Sequence, residues 1–332
     1  MNVDSLHVGI DENGLGPRLG PLVVTAAAAR LEPGAHKLLS PLPRGKRMGK
    51  LLGDSKALSS FEDSSLGEAW ARAFAVQQGL PSHSPTVLFD ALLHAQPTLR
   101  APCPAPHAAQ CWNDADEKFV SEDSLVRDCQ RALVTLAEKG FVIAGFVSTL
   151  VCTSVLNAGA RRGLSRLQMD LHAMETLVLS LAETRGTTIE AVLGKVGGYG
   201  FYGDVFGPLG GRLHVALEET RARSSYSFPG LGTLSFVMDA DASHTLVALA
   251  SLVGKWVRDT FMRRILRHHE RLTGEALPNA SGYYDPVTAK FVARTALARK
   301  RVQFPDDCFE RVRADLGQAP ITVPKRASSP VP

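Results

Sequence analysis

The stretch Gly9-Ile10-Asp11-Glu12-Asn13-Gly14-Leu15-Gly16-Pro17 joins a short apolar run, two adjacent carboxylates and a glycine-rich turn. Val8 and Ile10 alternate as they would in a strand with one buried face. Successive side chains of a strand point to opposite faces, so Asp11 and Glu12 diverge at the strand end. Their hard oxygen atoms suit Mg²⁺ or Mn²⁺, and the turn glycines let backbone N–H groups approach a ligand. One interpretation is a divalent-metal site beside a nucleic-acid backbone, and the other is a buried strand that ends in an acidic turn.

Composition indicates a globular protein. The chain has 332 residues, of which 45% are hydrophobic and 21% are charged, enough to bury one large core or two smaller ones. The net charge of +4 is mild, so any affinity for nucleic acid must come from a local basic surface. No apolar run reaches about 18 residues and no basic segment leads into an apolar one, which predicts a cytoplasmic protein without a membrane span.

The five cysteines are odd in number and irregularly spaced, which favours reduced thiols over a disulfide framework. Cys103, His107 and Cys111 have the spacing of a partial zinc site, but the sequence offers no obvious fourth ligand. The zinc interpretation is therefore the weaker one.

Hydrophobic periodicity predicts the order of the main elements. After the opening strand, we expect strands at 22–24, 141–151, 188–193 and 234–238, and helices at 164–183 and about 242–270. The last helix carries a stripe of basic side chains that suits phosphate contacts or, alternatively, simple solvation: Lys255, Arg258, Arg263, Arg264 and Arg267.

Four separated segments resemble, in the same order, the motifs of ribonuclease HII and its archaeal and eukaryotic relatives. Gly9–Pro17 with Gly20-Pro21 resembles the opening G-x-D-E-x-G-x-G-P-x-x-G-P, and Asp54-Ser55-Lys56 with Leu58 resembles D-S-K-x-L. Ala240-Asp241 with Lys255 and Arg258-Asp259 resembles the family's A-D and the helix after it. Ser281-Gly282-Tyr283 resembles the S-G-Y-P segment. The match covers roughly two thirds of the chain.

The resemblance implies an RNase H-like α/β domain over 1–318, with a mixed five-stranded sheet flanked by helices and with C-terminal helices. Residues of about 60–140 would be an inserted elaboration, and 319–332 a disordered tail. It also implies binding of RNA–DNA hybrids or ribonucleotide-containing duplexes and hydrolysis of the RNA strand with Mg²⁺ or Mn²⁺. Four carboxylates of the family hold two cations, one activating water and one stabilising the leaving oxygen.

The resemblance also assigns roles to individual positions. Asp11, Glu12 and Asp241 match three of the four catalytic, metal-binding carboxylates. Lys56 and Lys255 would neutralise phosphate, the turn Gly14-Leu15-Gly16 would lie against the sugar-phosphate backbone, and Tyr283 would stack on a sugar or base.

Two departures put the activity in question. Gly194 stands where the family has its third catalytic aspartate, and Lys195 beside it adds positive charge. Asp239, two residues before Asp241, could act as a replacement ligand if the strand continues that far, and Asp204 is a further candidate. Leu15 stands where the family has arginine, with Arg18 nearby.

Two functions therefore remain open. The first is a metal-dependent endoribonuclease of the ribonuclease H type, with reduced or altered activity. The second is a noncatalytic relative that binds hybrid or duplex nucleic acid. We expect a monomer in either case.

Overall fold

A computed structural model of the chain describes residues 5–42, 48–95, 103, 108–112, 117–195 and 199–313, and the expected tail at 319–332 lies outside these ranges. In the described ranges the strands are β1 (Leu6–Asn13), β2 (Leu22–Leu31), β3 (Phe141–Val151), β4 (Ile189–Gly194), β5 (Val215–Glu219), β6 (Arg223–Phe228) and β7 (Gly232–Val237). The helices are α1 (Ser55–Leu58), α2 (Ser65–Gln77), α3 (Pro85–Leu92), α4 (Ala108–Trp112), α5 (Asp123–Ala137), α6 (Thr153–Arg161), α7 (Arg166–Arg185), α8 (Thr245–Thr273), α9 (Pro286–Arg301) and α10 (Asp306–Phe309).

The strands form one mixed sheet in the order β3-β2-β1-β4-β7-β6-β5. β1 pairs antiparallel with β2, placing Asp11 opposite Thr25, and parallel with β4, placing Ile10 opposite Leu193. β4 in turn runs parallel to β7. The first five strands of this order are the predicted RNase H-like sheet, which is confirmed. The hairpin β5–β6 adds two antiparallel strands at the β7 edge, which hydrophobic periodicity did not predict.

Strand alternation assigns side chains to the two faces of the sheet. Val8 and Ile10 of β1 pack with Leu171 and Met174 of α7 on one face. The other face is covered by α8 and by the insertion. Helices α2 and α4 contact α8, and Phe89 of α3 lies against Trp256 of α8. Helix α5 packs on α2 and β3, and Trp70 of α2 is buried in the same core. The insertion at about 60–140 is thus an integral part of the hydrophobic core. The sequence of the insertion does not reveal this role in the core, because its apolar residues pack against residues that are far away in the chain.

Helix ends are set by local signals. Ser165 and Gln168 form a capping box at the start of α7, and Gly186 ends that helix in the left-handed conformation. Gly274 ends α8 in the same way. In the part of the chain that the structure describes, no helix combines the length and apolarity that a membrane crossing requires.

β1 and α8 approach each other at Gly9. A Cβ at this position would lie 2.3 Å from the backbone carbon of Leu246 and from the nitrogen of Val247. Only glycine permits this approach, since backbone atoms of a buried helix cannot move aside as a flexible side chain can. The contact holds the carboxylate end of β1 against the N-terminal half of α8.

Gly9→Ala is expected to lower the free energy of unfolding by about 1–3 kcal/mol or more, because the added methyl group overpacks a backbone contact. Urea unfolding followed by circular dichroism measures the change. Gly16→Ala is the matched control, since a Cβ at Gly16 meets nothing within 4 Å. Equal urea midpoints for both variants would contradict the close-packing argument.

Candidate active site

The predicted site residues gather in one cleft of about 490 Å³ at the end of β1. Its lining includes Asp11, Glu12, Gly14, Leu15, Gly16, Asp239, Asp241, Lys255 and Tyr283. Lys56 is the remaining predicted residue, and its side chain lies outside the part of the chain that the structure describes. The fold thus brings together residues that are up to 272 positions apart in the sequence (Tyr283 and Asp11).

Asp11 lies at the centre of the acidic group. Burial, the adjacent Glu12 and the charge of Asp241 all raise the pKa of Asp11 well above its usual value, and burial is the largest cause. A hydrogen bond from Ser251 of α8 partly opposes this shift. The sequence did not indicate that Ser251 contacts Asp11. Three carboxylates that repel one another here favour the binding of a cation.

Gly194, the last residue of β4, lies directly beside these carboxylates. A Cβ at residue 194 would lie 2.9 Å from Oδ1 of Asp11 and 3.5 Å from Oε2 of Glu12. Gly194 is the last residue of a strand, and a Cβ there would require a small shift of the Asp11 carboxylate. Position 194 therefore borders the cleft carboxylates, at the place where the sequence resemblance implies an aspartate.

Neither candidate replacement has the expected geometry. β7 ends at Val237, and Asp239 follows in a left-handed conformation (φ 51°, ψ 37°) before the short turn Ala240–Ala242. The alternation argument for Asp239 therefore does not apply, although Asp239 lines the cleft. Asp204 lies exposed in a turn and is not among the described lining residues.

The carboxylates of the cleft do not by themselves complete a metal site. Among the described residues, no three His, Cys, Asp or Glu side chains are grouped so that they could hold a metal ion. The partial zinc site suggested by Cys103 and Cys111 is not formed either, and His107 lies outside the described residues. The hard oxygen donors of Asp11, Glu12 and Asp241 suit Mg²⁺ or Mn²⁺ chemically, but two aspartates and a glutamate do not form a closed cage.

The glycine turn is supported from below by two buried arginines. Arg311 donates to the carbonyl oxygens of Gly14 (2.7 Å) and Leu15 (3.2 Å), and Arg166 donates to that of Pro17 (3.3 Å). In a trans peptide the N–H points opposite to the carbonyl, so these bonds direct the N–H groups of the following residues away from the arginines. The sequence did not reveal either arginine, because each contacts the turn from more than 145 positions away.

Gly14 has a φ of +89°, and a Cβ there would lie 2.4 Å from Nε of Arg258. This position therefore requires glycine for two reasons, its backbone conformation and its contact with Arg258. Arg18 does not replace the missing arginine at position 15, because it forms an ion pair with Glu310 (2.6 Å).

The basic stripe predicted on α8 is largely internal, and Lys255 and Arg258 are the members of it that line the cleft. Arg264 is buried and forms an ion pair with Glu117, as does Arg267 (2.7 Å each). Arg258 is also buried and donates to the carbonyl of Ser281 (2.9 Å). The ammonium of Lys255 lines the cleft and donates to the carbonyl of Ser59. The insertion covers this side of α8, which periodicity of the helix alone could not show.

Two further groups complete the cleft. The guanidinium of Arg258 lies 4.9 Å from the ring centre of Tyr283, which remains 47% exposed. The ammonium of Lys195 donates to the carbonyl of Thr220 (2.7 Å) and to Oγ of Ser224 (3.1 Å). The β5–β6 hairpin thus holds the positive charge beside Gly194.

Asp11→Asn is expected to raise the thermal midpoint of the metal-free protein at pH 7. The pKa of Asp11 is higher in the folded chain than in the unfolded one, so its contribution to stability falls as the pH rises from the unfolded towards the folded pKa. Asparagine has no charge and therefore avoids this loss of stability. The difference in thermal midpoint between Asp11→Asn and the parent protein should vanish below about pH 4. Calorimetry in EDTA measures the thermal midpoints of both proteins at pH 7 and below pH 4.

Asp204→Asn is the matched control, because Asp204 is exposed. A midpoint of Asp11→Asn at or below that of the parent protein at pH 7 would contradict the electrostatic account of the cleft.

No protein-family model matches the chain, and no curated protein matches it. Several solved structures are similar. Ribonuclease H2 from Pyrococcus horikoshii OT3 is 14% identical, with 92% of each chain covered and a TM-score of 0.40. RNase HII from Archaeoglobus fulgidus, from its complex with PCNA, is 16% identical, with 95% of this chain and 98% of that chain covered and a TM-score of 0.38.

Bst-RNase HIII in complex with Mn²⁺ is 13% identical, with 93% of this chain and 67% of that chain covered and a TM-score of 0.42. At these identities and TM-scores, the similarity does not transfer an activity. The chain is similar in structure to RNases HII and HIII over most of its length.

Proposed function

We propose that this protein is a metal-dependent endoribonuclease that hydrolyses the RNA strand of RNA–DNA hybrids, with a rate limited by Gly194. The observation that carries the proposal is the gathering of Asp11, Glu12 and Asp241 in one cleft with the glycine turn and Tyr283. The motif resemblance found in the sequence concerns the same residues. Drift alone would not keep these polar side chains together.

The carboxylates of Asp11, Glu12 and Asp241 would hold Mg²⁺ or Mn²⁺, and the bound metal would activate water and stabilise the leaving oxygen. The fit rests on the donor chemistry, since three carboxylates with hard oxygen atoms line one cleft. The incomplete donor group at Gly194 implies weak metal binding.

The remaining cleft residues would bind the nucleic acid. The N–H groups of the turn Gly14-Leu15-Gly16, oriented by Arg311, would donate to a phosphate, and Lys255 would neutralise phosphate charge. The half-exposed ring of Tyr283, next to Arg258, would stack on a sugar or base. Lys56 is proposed for the same role on sequence grounds.

A noncatalytic hybrid-binding protein is the second candidate, and Gly194 favours it. Without a carboxylate at residue 194, the cleft could retain nucleic-acid contacts while losing the metal. The two candidates differ in whether divalent metal binds and in whether the RNA strand is cut.

Cleavage of a labelled RNA–DNA hybrid, and of a DNA duplex with one ribonucleotide, is expected in Mn²⁺ or Mg²⁺ and should be lost in Asp241→Ala. Gly194→Asp is expected to raise the rate about tenfold or more, equivalent to ~1.4 kcal/mol of barrier, because it restores a carboxylate beside Asp11. Gly194→Ala is the matched control, since it adds the Cβ without the ligand.

A second readout is the rise in thermal midpoint on adding Mn²⁺, which should be larger in Gly194→Asp than in Gly194→Ala. If the parent protein binds the hybrid but neither it nor Gly194→Asp cuts the RNA strand, the protein is a hybrid-binding relative and the nuclease proposal fails.

Tyr283→Ala is expected to weaken hybrid binding by about 1–3 kcal/mol, because a base or sugar loses its stacking surface. Fluorescence anisotropy with a labelled hybrid in EDTA measures binding without cleavage. Tyr284→Ala is the matched control, since Tyr284 is adjacent and exposed but is not among the described residues that line the cleft. Equal losses in both variants would argue against a specific role of Tyr283.

A further inference from the structure

Strand β5 forms one edge of the sheet, and all five of its residues are exposed. In the described ranges β5 has a strand partner, β6, on one side only. The N–H and C=O groups of its outer edge can therefore pair with a further strand. The opposite edge, β3, is covered by the insertion: the N–H of His94 donates to the carbonyl of Ser148 (2.8 Å), and α3 and α5 contact the strand. The described chain thus covers one edge of its sheet and leaves the other open.

The open edge carries large apolar side chains. Leu213, Val215 and Leu217 are 77%, 56% and 59% exposed. They are two residues apart, the spacing that places side chains on one face of an extended chain. The pairing of β5 with β6 shifts register between Ala216 and Glu218, so a β-bulge interrupts the strand there. A new ladder on this edge would therefore be short, but it would bury apolar side chains that now face water.

The two ends of this segment have opposite charges. Arg212 precedes it and is exposed, whereas Glu218 and Glu219 end it. The side chain of Glu218 is 46% exposed, and its ion pair with Arg223 is long (3.8 Å). If two copies of the segment lie antiparallel, the basic end of each copy meets the acidic end of the other. A parallel arrangement would bring like charges together, so the charges favour antiparallel pairing with a second copy.

We propose that the protein forms a twofold-symmetric dimer in which β5 pairs antiparallel with β5 of a second copy. A register centred on Val215 places this residue opposite its own counterpart. The same register places Leu213 opposite Leu217 of the second copy, and Arg212 opposite Glu218 of the second copy. Residues 212–214 would extend β5 when it pairs. Such an interface uses the open edge of both copies, so it closes at two chains and does not continue into a fibre.

The dimer would leave the cleft accessible, because β6, β7 and β4 separate β5 from β1. It would also fix the hairpin that borders the cleft. The turn of this hairpin accepts hydrogen bonds from the N–H of Met238, at the carbonyl of Ala222 (2.9 Å), and from the ammonium of Lys195, at the carbonyl of Thr220 (2.7 Å). The inference is independent of the proposed nuclease activity, since it concerns the sheet edge and not the carboxylates.

Sedimentation equilibrium of the full chain, from about 1 to 100 μM, tests the association, because small interfaces give weak dimers. The parent protein is expected to be a dimer at the upper end of this range. Leu213→Lys should raise the dissociation constant about tenfold or more, because it places a charge in the apolar contact. Leu297→Lys is the matched control, since Leu297 is 79% exposed but lies on α9, and it should leave the dimer unchanged.

A cross-link tests the register. In the proposed dimer the two residues at position 215 lie opposite each other, about 4.5–5.5 Å apart between Cβ atoms, which a disulfide can span. Val215→Cys is therefore expected to give a covalent dimer on a non-reducing gel after mild oxidation. Leu297→Cys and the parent protein should remain single chains under the same conditions.

A charge exchange tests the pairing of the ends. Arg212→Glu and Glu218→Arg should each weaken the dimer, because each brings like charges together. The variant that carries both changes should recover the parent dissociation constant, because opposite charges meet again. Circular dichroism checks that each variant is folded.

Three results would overturn the proposal. The first is a parent protein that stays monomeric over the whole concentration range, which would leave the edge to a strand of another protein. The second is a dimer that Leu213→Lys and Leu297→Lys affect equally. The third is a dimer that Leu213→Lys weakens but that Val215→Cys does not cross-link, since the two β5 strands would then not pair in this register.

Discussion

The close approach of β1 to α8 is the constraint on which the rest of the structure depends. Gly9 lets the strand lie against the helix backbone, and this contact brings Ser251 of α8 to the Asp11 carboxylate two residues further along β1. The turn that carries Asp241 leads directly into the same helix, so the position of α8 also sets the position of this third carboxylate. A side chain at residue 9 would move β1 away from α8, and Asp11 would then move away from Ser251 and Asp241.

The charges around the cleft form two opposed layers. Carboxylates converge at the end of β1, while Arg166, Arg258 and Arg311 lie buried beneath the glycine turn. Burial lowers the pKa of Arg311 well below its usual value, and the nearby positive charge of Arg258 adds to this effect. The carboxylates and the buried arginines each lower the stability of the folded protein, because like charges lie close together where little water can solvate them. The metal ion and the nucleic acid of the proposed function would supply opposite charges to the carboxylates and to the arginines.

At Gly194 a side chain is absent, but the backbone still lies beside the carboxylates of the cleft. β4 still ends beside β1, and the Cβ direction at residue 194 still leads to the Asp11 and Glu12 carboxylates. A side chain at residue 194 would therefore be positioned by the same strands that position the carboxylates of the cleft. The β5–β6 hairpin next to this position holds the Lys195 ammonium by hydrogen bonds, so the positive charge beside Gly194 has its own structural partners.

The sequence by itself determined five of the seven described strands, the two helices α7 and α8 and the carboxylate end of β1. These features depend on local periodicity and on short motifs, in which the informative residues are close together in the chain. Only the tertiary structure decided that Arg258 and Arg264 of α8 are buried, and that Arg166 and Arg311 support the glycine turn. Each of these contacts joins residues that are far apart in sequence, and a side chain has no local pattern that shows what will pack against it. Tertiary structure also placed Asp239 outside the strand, because a strand's end depends on its pairing with neighbouring strands as well as on its own residues.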